Sequence, residues 1–412
     1  MARPLERTRK RQPGWRVPAS HRLRAQGAGL ALGVLMGVGW TPPALPGAPL
    51  PEDYRVTRPG VLLVDPARRE AELAAMTPGE RERRCGSDRR NWPEHGVVRN
   101  VYNGSQPGQN VAFTLMTGSA AAFGTGDVAA REAVVDNLVR WAKGDALGRF
   151  KKEPTATMYY NLDRTLLPVI VAYSLVRDHP DVAGDDRLRI EQWLDQLVWR
   201  RGPGRERDPD LSSSQNNHRY LSDSVTMAWG ILRGDDEAFR SGIERYLAAL
   251  GQMRRDGSLP LETARGSRAL SYQRHAIASL VAIAEMAAAQ GYDLYGIEGD
   301  EGQSIHRAIR FLLDGIDDPA IVWRYATENV NPGPHRNYKV QDLGFMKRRG
   351  HGRHYMAWVE AYRARFPTSE LALRLQDRLD AFGAAEQPLI DDYIGGNASC
   401  LFGTAHVAED RS

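Results

Sequence analysis

The sequence lacks several features that would assign a function directly. Its 412 residues contain only 2 cysteines, and neither has partners at the spacing of zinc ligands. No segment beyond the amino-terminal region is apolar over the roughly 18 residues that a membrane-spanning helix needs. No patch interleaves aromatic residues with Lys and Arg as nucleic-acid-binding modules do. We therefore expect no nucleic-acid partner, no membrane span in the mature protein, and neither a metal nor another cofactor.

The composition is that of a globular protein with a large core. Hydrophobic residues make up 42% of the chain and charged residues 26%, which argues against global disorder. The net charge of +4 is uneven, because much of the basic excess lies between Arg3 and Arg24. The excess of basic residues is therefore a property of the amino terminus more than of the folded part of the chain.

The amino terminus has the pattern of an export signal. The basic stretch leads into an apolar run from Ala28 to Trp40, which is too short to span a bilayer but suits a signal peptide. Proline-rich sequence follows, with a cleavage candidate at Ala48. We interpret residues 1–48 as an export leader and expect a soluble periplasmic or secreted protein. The alternatives are an uncleaved anchor or a start codon placed too early.

The two cysteines, Cys85 and Cys400, lie near opposite ends of the predicted mature chain. In an oxidising compartment an even pair can form one disulfide. Such a bond would join the carboxyl-terminal segment to the first part of the folded chain. Two unrelated thiols are the alternative, and the sequence leaves both open.

Hydrophobic periodicity predicts an all-α protein. Residues 49–110 are interpreted as an extended arm with a lid loop, residues 111–385 as the helical domain, and residues 386–412 as a carboxyl-terminal tail. Apolar residues at helical spacing predict helices at Asp127–Leu147, Met158–Val176, Arg187–Arg200, Asp235–Met253, Tyr272–Gln290, Gln303–Leu313, His354–Arg365 and Ser369–Phe382. Pro168 predicts a kink or a break in the second of these.

Successive helices joined by Gly, Pro and Asp loops indicate antiparallel hairpins. These hairpins can stack as a solenoid or close into an incomplete α/α toroid. The loop from Asp256 to Glu262 favours the toroid, because a loop of this kind suits the mouth of a barrel. In a toroid, the cleft is lined by loops and by the starts of inner helices.

The most informative motif is Asn216-Asn217-His218, at the predicted start of a helix. No serine or cysteine nucleophile motif accompanies it. Asparagine at a helix start commonly caps the unpaired backbone amides, but capping needs one side chain and leaves the second Asn and the His unexplained. An amide beside an imidazole suits carboxylate binding and proton transfer.

A second motif contains Arg265, Arg268 and Tyr272, which share one face if the segment is helical. A solvated basic stripe is the alternative interpretation. The residues after Tyr272 are so apolar that the helix is predicted to be internal. Arginines at the start of an internal helix favour a cleft that binds anions.

Together, the two motifs resemble the alginate lyases of polysaccharide lyase family 5. Members of that family carry an Asn-Asn-His-x-Tyr-Trp stretch and later an Arg-x-x-Arg-Ala-Leu-x-Tyr-His stretch. The likeness extends over most of residues 85 to 405 and includes Ile394-Gly-Gly. It implies an incomplete α/α toroid that cleaves 1,4-linked polyuronate by metal-independent β-elimination and leaves 4,5-unsaturated uronyl ends. The expected partner is an acidic polysaccharide, and we expect a monomer.

The resemblance also implies roles for individual residues. Asn217 and Arg265 would bind the carboxylate of the uronate, and His218 and Tyr272 would transfer protons. Amide and charge-assisted hydrogen bonds would stabilise the negative charge that develops when the C5 proton leaves. These four residues form the predicted catalytic set.

Five further residues form the predicted substrate-binding set. Arg268 would support the site or bind a neighbouring sugar, and Tyr102 begins a stretch similar to the family's flexible lid. Arg349 belongs to a basic loop, from Lys347 to His354, that can line an anionic sugar subsite or be a solvated loop. The remaining two are Asn216 and Gln273.

The sequence departs from the family pattern at four positions. Leu221 stands where the family has Trp, Gln273 where it usually has His, His275 where Tyr or Phe is common, and Val101 where a basic residue is frequent. We interpret these positions as part of the subsites and the lid. The departures therefore bear on the identity of the polymer, and glucuronan or another acidic polysaccharide is an alternative to alginate.

Two other functions are considered. An α/α-toroid glycoside hydrolase acting on acidic sugars needs two carboxyl groups across the cleft, and Asp223 and Glu262 are the acids near the motifs. The other alternative is a non-catalytic component of exopolysaccharide biosynthesis that binds an acidic polymer.

Overall fold

Helices make up most of the part of the chain that the structure describes. The computed structural model describes residues 51–86, 92–102, 106–150, 153–180, 182–200, 212–329, 333–383 and 388–404. Within these ranges the α-helices are α1 Pro66–Ala74, α2 Pro78–Cys85, α3 Gln106–Thr125, α4 Val128–Lys143, α5 Ala156–Val176, α6 Gly184–Arg200, α7 Asn217–Arg233, α8 Asp236–Gln252, α9 Pro260–Thr263, α10 Ala269–Ala289, α11 Ile305–Asp317, α12 Ala320–Ala326, α13 Trp358–Arg365, α14 Glu370–Ala381 and α15 Ala398–Phe402. The predicted all-α class is confirmed.

Helices α5, α7 and α10 form the centre of the molecule. All three are buried along most of their length, and α5 and α10 are apolar on most sides, whereas α4, α6 and α8 bury one face only. A helix that is hydrophobic all round needs neighbours on every side. Accordingly α3, α5, α7, α10, α13, α15 and α2 contact one another in that circular order, and α2 packs against α3.

The predicted helix starts depend on local caps, and the structure contains them. Asp127 accepts a hydrogen bond from the backbone of Ala130 at 2.9 Å, and Asp235 accepts one from Ala238 at 3.0 Å. Each carboxylate satisfies an N–H that would have no partner in the first helical turn. Pro168 does not break α5, which is helical from Ala156 to Val176, because burial among the inner helices holds the segment together.

Residues 55–61, at the start of the predicted extended arm, form no helix or strand and are held by Gln290. The Gln290 side chain accepts from the backbone N–H groups of Thr57 and Arg58 at 3.0 and 2.8 Å and donates to the carbonyl of Val61 at 2.7 Å. Farther along, the prediction of an extended segment is wrong, since α1 and α2 lie within it. Each of these helices begins with a proline directly after a capping residue. Both contain few apolar residues, so their hydrophobic periodicity is weak.

The segment predicted as a carboxyl-terminal tail is part of the core. Two short antiparallel strands, β3 Ile390–Asp391 and β4 Gly396–Asn397, precede α15, and Leu401 and Phe402 are buried. A second pair, β1 Asn100–Val101 and β2 Arg149–Phe150, is parallel. A two-residue strand has too little pattern to be recognised in a sequence, so the prediction missed both pairs.

Cys85 and Cys400 form a disulfide across 315 residues, which confirms the first of the two alternatives. The bond joins the end of α2 to α15, the two neighbours that complete the circular order of helices. It therefore closes the ring covalently at the place where the two ends of the folded chain meet.

We predict that replacing both cysteines, Cys85→Ser with Cys400→Ser, lowers the free energy of unfolding by about 2–5 kcal/mol, because a long loop in the unfolded chain is no longer closed. Urea denaturation followed by far-ultraviolet circular dichroism measures the change. The unsubstituted protein under strong reducing conditions is the matched control and should lose a similar amount. Equal stability of the oxidised protein and the double variant would contradict the prediction.

Candidate active site

Asn216 caps α7. Its side-chain oxygen accepts a hydrogen bond from the backbone N–H of His218 at 3.0 Å, and the residue is buried. This is the capping role that the sequence left open for one asparagine of the motif. The prediction that Asn216 binds substrate gains no support from this position.

Asn217 is tied to two other parts of the site. Its backbone N–H donates to the Oε1 atom of Glu262 at 2.7 Å, and its side-chain nitrogen lies 3.4 Å from Nδ1 of His275. Its amide oxygen is buried and makes no hydrogen bond within the described residues. The side-chain nitrogen of Asn217 is therefore close to His275, whereas the side-chain oxygen is available to a hydrogen-bond donor that the described residues do not supply.

His218 follows on the first turn of α7 and is half-buried. Its ring stacks on the ring of Tyr160, with centroids 4.2 Å apart and planes 14° from parallel. Tyr160 comes from the first half of α5, so this stack joins two of the inner helices. The stack fixes the plane of the imidazole.

The second motif is not one continuous helix, which corrects the helical spacing assumed from the sequence. A 3₁₀ turn over Gly266–Arg268 precedes α10, which begins at Ala269. Arg265 and Tyr272 meet nonetheless: the Cζ atom of the guanidinium lies 4.0 Å from the centre of the tyrosine ring. Nε of Arg265 donates to the carbonyl of Leu261 at 3.0 Å. A cation over an aromatic face is attracted by the ring.

His275 links the two motifs. Its Nδ1 atom lies 3.3 Å from the hydroxyl of Tyr160 and 3.4 Å from that of Tyr393, besides the amide of Asn217. Its ring meets Tyr272 edge-on, with centroids 5.4 Å apart. Burial, followed by the nearby arginines, holds the pKa of His275 well below its ordinary value, so the imidazole is neutral at neutral pH.

We call Tyr160, His218, Tyr272, His275 and Tyr393 the ring cluster. Tyr160 and Tyr393 share a hydrogen bond between their hydroxyls. Burial raises the pKa of Tyr160 to about 12 and that of Tyr393 well above its ordinary value, so both stay protonated at neutral pH. Sequence reasoning missed both tyrosines. Tyr393 adjoins the Ile394-Gly-Gly stretch, but Tyr160 carries no motif.

Buried charges adjoin the ring cluster. Asp392 accepts from Arg164 at 2.6 Å and pairs with Arg353 at 2.5 Å, and Asp391 lies 3.9 Å from Arg274. Burial, and then the neighbouring Asp392, raises the pKa of Asp391 above its ordinary value. Three guanidiniums thus face two carboxylates. The net charge of these buried groups beside the ring cluster is positive, which favours an anionic ligand.

Gln273 is a structural residue, which corrects its prediction as a substrate-binding residue. It is fully buried. Its side-chain oxygen accepts from the backbone of Leu259 at 2.9 Å, and its nitrogen donates to the carbonyl of Gly257 at 2.9 Å. Leu221 is also fully buried in the core rather than in a subsite. A sequence motif gives the position of a residue along the chain but not the side of the helix that becomes covered.

The other three predicted substrate-binding residues lie nearer the surface. Arg268 is half-buried just before α10, and Tyr102 is 41% exposed at the end of β1. The predicted lid continues from Tyr102 into residues 103–105, which lie outside the described residues. Arg349 is exposed, with its guanidinium 5.7 Å from the ring of Tyr355, and that ring contacts His275.

The two acids near the motifs are both committed to other contacts. Asp223 pairs with Arg219 at 2.7 Å and with Arg245 at 2.9 Å. Glu262 is fully buried and accepts from Asn217. Neither carboxyl group is presented to solvent as one of a hydrolytic pair. Within the described residues, no group of three or more His, Cys, Asp or Glu side chains is placed to hold a metal ion.

The chain matches a known family over half its length. The alginate lyase family profile matches residues 116–322. A polysaccharide lyase of Stenotrophomonas maltophilia is 33% identical over 202 residues, which cover 47% of this chain and 57% of that protein. An alginate lyase of Pseudomonas syringae pv. syringae is 24% identical over 380 residues, which cover 85% of this chain and 91% of that one.

Solved structures show the same fold. Alginate lyase A1-III of Sphingomonas species A1, in a variant complexed with tetrasaccharide, superposes with a TM-score of 0.71 at 25% identity and covers 87% of this chain and all of that one. An alginate lyase from Bacteroides ovatus superposes with a TM-score of 0.54 at 16% identity, over 82% of this chain and 91% of that one. The predicted α/α toroid is thereby confirmed. The chain belongs to the alginate lyase family.

Proposed function

We propose that this protein is a polysaccharide lyase that cleaves 1,4-linked polyuronate by β-elimination, with alginate as the first substrate to test. Family membership and relatives named as alginate and polysaccharide lyases support the reaction class. The observation that carries the proposal is the guanidinium of Arg265 over the ring of Tyr272. It sets a cation that can bind a carboxylate over the ring of a tyrosine that can transfer a proton.

The chemical problem in this reaction is the weak acidity of the C5 proton. Its loss places negative charge next to a carboxylate that is already ionised. Arg265 and the side-chain NH2 group of Asn217 would donate hydrogen bonds to that carboxylate and stabilise the developing charge, a role in which a single hydrogen-bond donor can contribute about 3–4 kcal/mol. The positive net charge of the nearby buried groups adds to the attraction of the substrate carboxylate. This arrangement would need no metal ion.

Tyr272 would move the proton. In a syn elimination the ionised Tyr272 oxygen takes the C5 proton, the C4–C5 double bond forms, and the C4–O4 bond breaks. The same proton then passes from Tyr272 to the departing O4 oxygen, so no net proton is gained or lost. His218, held against Tyr160, would assist or act as the base on the other C5 epimer.

Two of the solved A1-III structures support this pair of residues. One is of a histidine-to-alanine variant and the other of a tyrosine-to-phenylalanine variant, each complexed with tetrasaccharide. The two substituted positions are as far apart in that chain as His218 and Tyr272 are in this one. The spacing supports His218 and Tyr272 as the corresponding pair.

The proposal includes export to the periplasm or the medium. The Cys85–Cys400 disulfide supports it, because such bonds persist in oxidising compartments. The predicted leader lies outside the described residues, and none of the described helices is both long and apolar enough to cross a membrane. We expect the exported protein to be a monomer, and the polymer to be mannuronan-rich alginate or glucuronan.

We predict that the purified protein produces ultraviolet-absorbing 4,5-unsaturated ends from at least one polymer in a panel of mannuronan, glucuronan and mixed alginate. The measurement is the absorbance of the conjugated product, followed with and without EDTA. Activity that EDTA leaves unchanged fits the proposed metal independence. Reducing ends without absorbance would indicate the hydrolase instead. Binding without any product would indicate the non-catalytic alternative.

We predict that Tyr272→Phe lowers kcat by roughly 10²–10⁴-fold, because it removes the proton-transferring hydroxyl but keeps the ring under Arg265. Polymer binding, measured by calorimetry or gel retention, should persist. The matched control is Tyr292→Phe, which should keep its activity because Tyr292 lies beyond the other end of α10, and about 25 Å of helix separates Tyr272 from that end. Full activity in Tyr272→Phe would exclude Tyr272 as the base.

A further inference from the structure

Glu262 is a buried residue that contacts both sequence motifs of the proposed site. It lies on α9 and is fully buried. Its Oε1 atom accepts the backbone N–H of Asn217 at 2.7 Å, and its Oε2 atom lies 4.0 Å from Nε of Arg265. Within the described residues, Oε2 makes no hydrogen bond. One carboxylate thus adjoins the central residue of one motif and the first arginine of the other.

The two contacts are of different kinds. At the start of α7 the carboxylate satisfies a backbone N–H that has no partner within the helix, and it faces the positive end of the helix dipole. At Arg265 it faces a guanidinium that Leu261 already holds at 3.0 Å and that rests on Tyr272. A negative charge at this point therefore sets the position of Asn217 and His218 relative to Arg265 and Tyr272.

We propose that Glu262 is a positioning residue for the elimination: its ionised carboxylate holds the start of α7 and the guanidinium of Arg265 in register with each other. It would touch neither substrate nor the reacting atoms, and it would be neither the general acid nor the general base. This inference rests on the lyase function proposed above and assigns a role to a buried acid that contacts both motifs.

The ionisation of Glu262 falls near neutral pH. Burial raises its pKa to about 7, against the opposing effects of Arg265 and of the Asn217 N–H. Among the described residues Tyr220, on α7, also faces it, and the pKa of Tyr220 is raised by burial and then by Glu262. Tyr220 is therefore neutral, and Arg265 is the cation that balances Glu262. The strength of the pairing should change as pH passes through about 7.

Activity and stability should respond to this ionisation in opposite directions. The folded-state pKa of Glu262 lies above its ordinary value, so the folded protein binds more protons than the unfolded chain between the two pKa values. Stability from this group is therefore present at low pH and is lost as pH rises through about 7. The activity that depends on the ionised form should instead rise over the same interval.

Glu262→Gln is the test, because glutamine keeps an oxygen for the Asn217 N–H and nearly the same volume while removing the charge opposite Arg265. At pH 8 we expect kcat/KM to fall roughly 10- to 100-fold, as a small misplacement of reacting groups can cost this much. The melting temperature at pH 8 should stay equal or rise. The increase of wild-type activity through neutral pH should be absent from the variant.

A second readout does not depend on turnover. The Nε–H resonance of Arg265, followed by NMR in the full chain, should shift between pH 6 and pH 8 in the wild type and stay constant in Glu262→Gln. Asp223→Asn is the matched control, since it also removes a buried carboxylate that is paired with arginines. It should lower the melting temperature and keep the wild-type shape of the pH profile.

Wild-type activity and pH profile in Glu262→Gln would overturn this inference alone and leave the lyase function standing. A parallel loss of activity and melting temperature with an unchanged profile would also overturn it, because that outcome describes a purely structural residue. A wild-type protein that eliminates no uronan would overturn the proposed function, and this role with it.

Discussion

The site depends on one buried carboxylate, that of Asp392, held between the guanidiniums of Arg164 and Arg353. Removing two arginines and an aspartate from water is costly, and the cost is offset only when their hydrogen bonds are well made. Arg164 lies one turn after Tyr160 on α5, and Asp392 precedes Tyr393. This pairing therefore brings the last segment of the chain against α5 and allows the two tyrosines to share a hydrogen bond.

A division between charged and neutral groups follows from this arrangement. The arginines remain charged, whereas burial keeps His275 neutral and Tyr160 and Tyr393 protonated. Neutral rings can hold Asn217 and His218 by hydrogen bonding and stacking without cancelling the positive potential that an anionic polymer would meet. The same low-polarity surroundings make each charge more influential than it would be in water, which is why a single carboxylate at Glu262 can affect both motifs.

Much of the fold could be predicted from the sequence because it depends on local interactions. The caps at Asp127 and Asp235 and the apolar periodicity of α5 and α10 are properties of neighbouring residues, and the predicted helices there are confirmed. Helices α1 and α2 were missed because they carry few apolar residues. The carboxyl-terminal segment was misinterpreted as a tail because its burial depends on contacts with α13 and with α2, and the disulfide to α2 spans 315 residues of the chain.

By itself, the sequence determined the helical class, the family resemblance and the two motifs, since each is written in residues close together along the chain. The tertiary structure decided which of those residues meet. It placed Gln273 and Asn216 in structural roles and chose the disulfide over free thiols. It also brought Tyr160, Tyr393 and Glu262 to the motifs. The physical reason is that hydrogen bonds and charge pairs in the site join segments up to 233 residues apart, and no local pattern encodes such a distance.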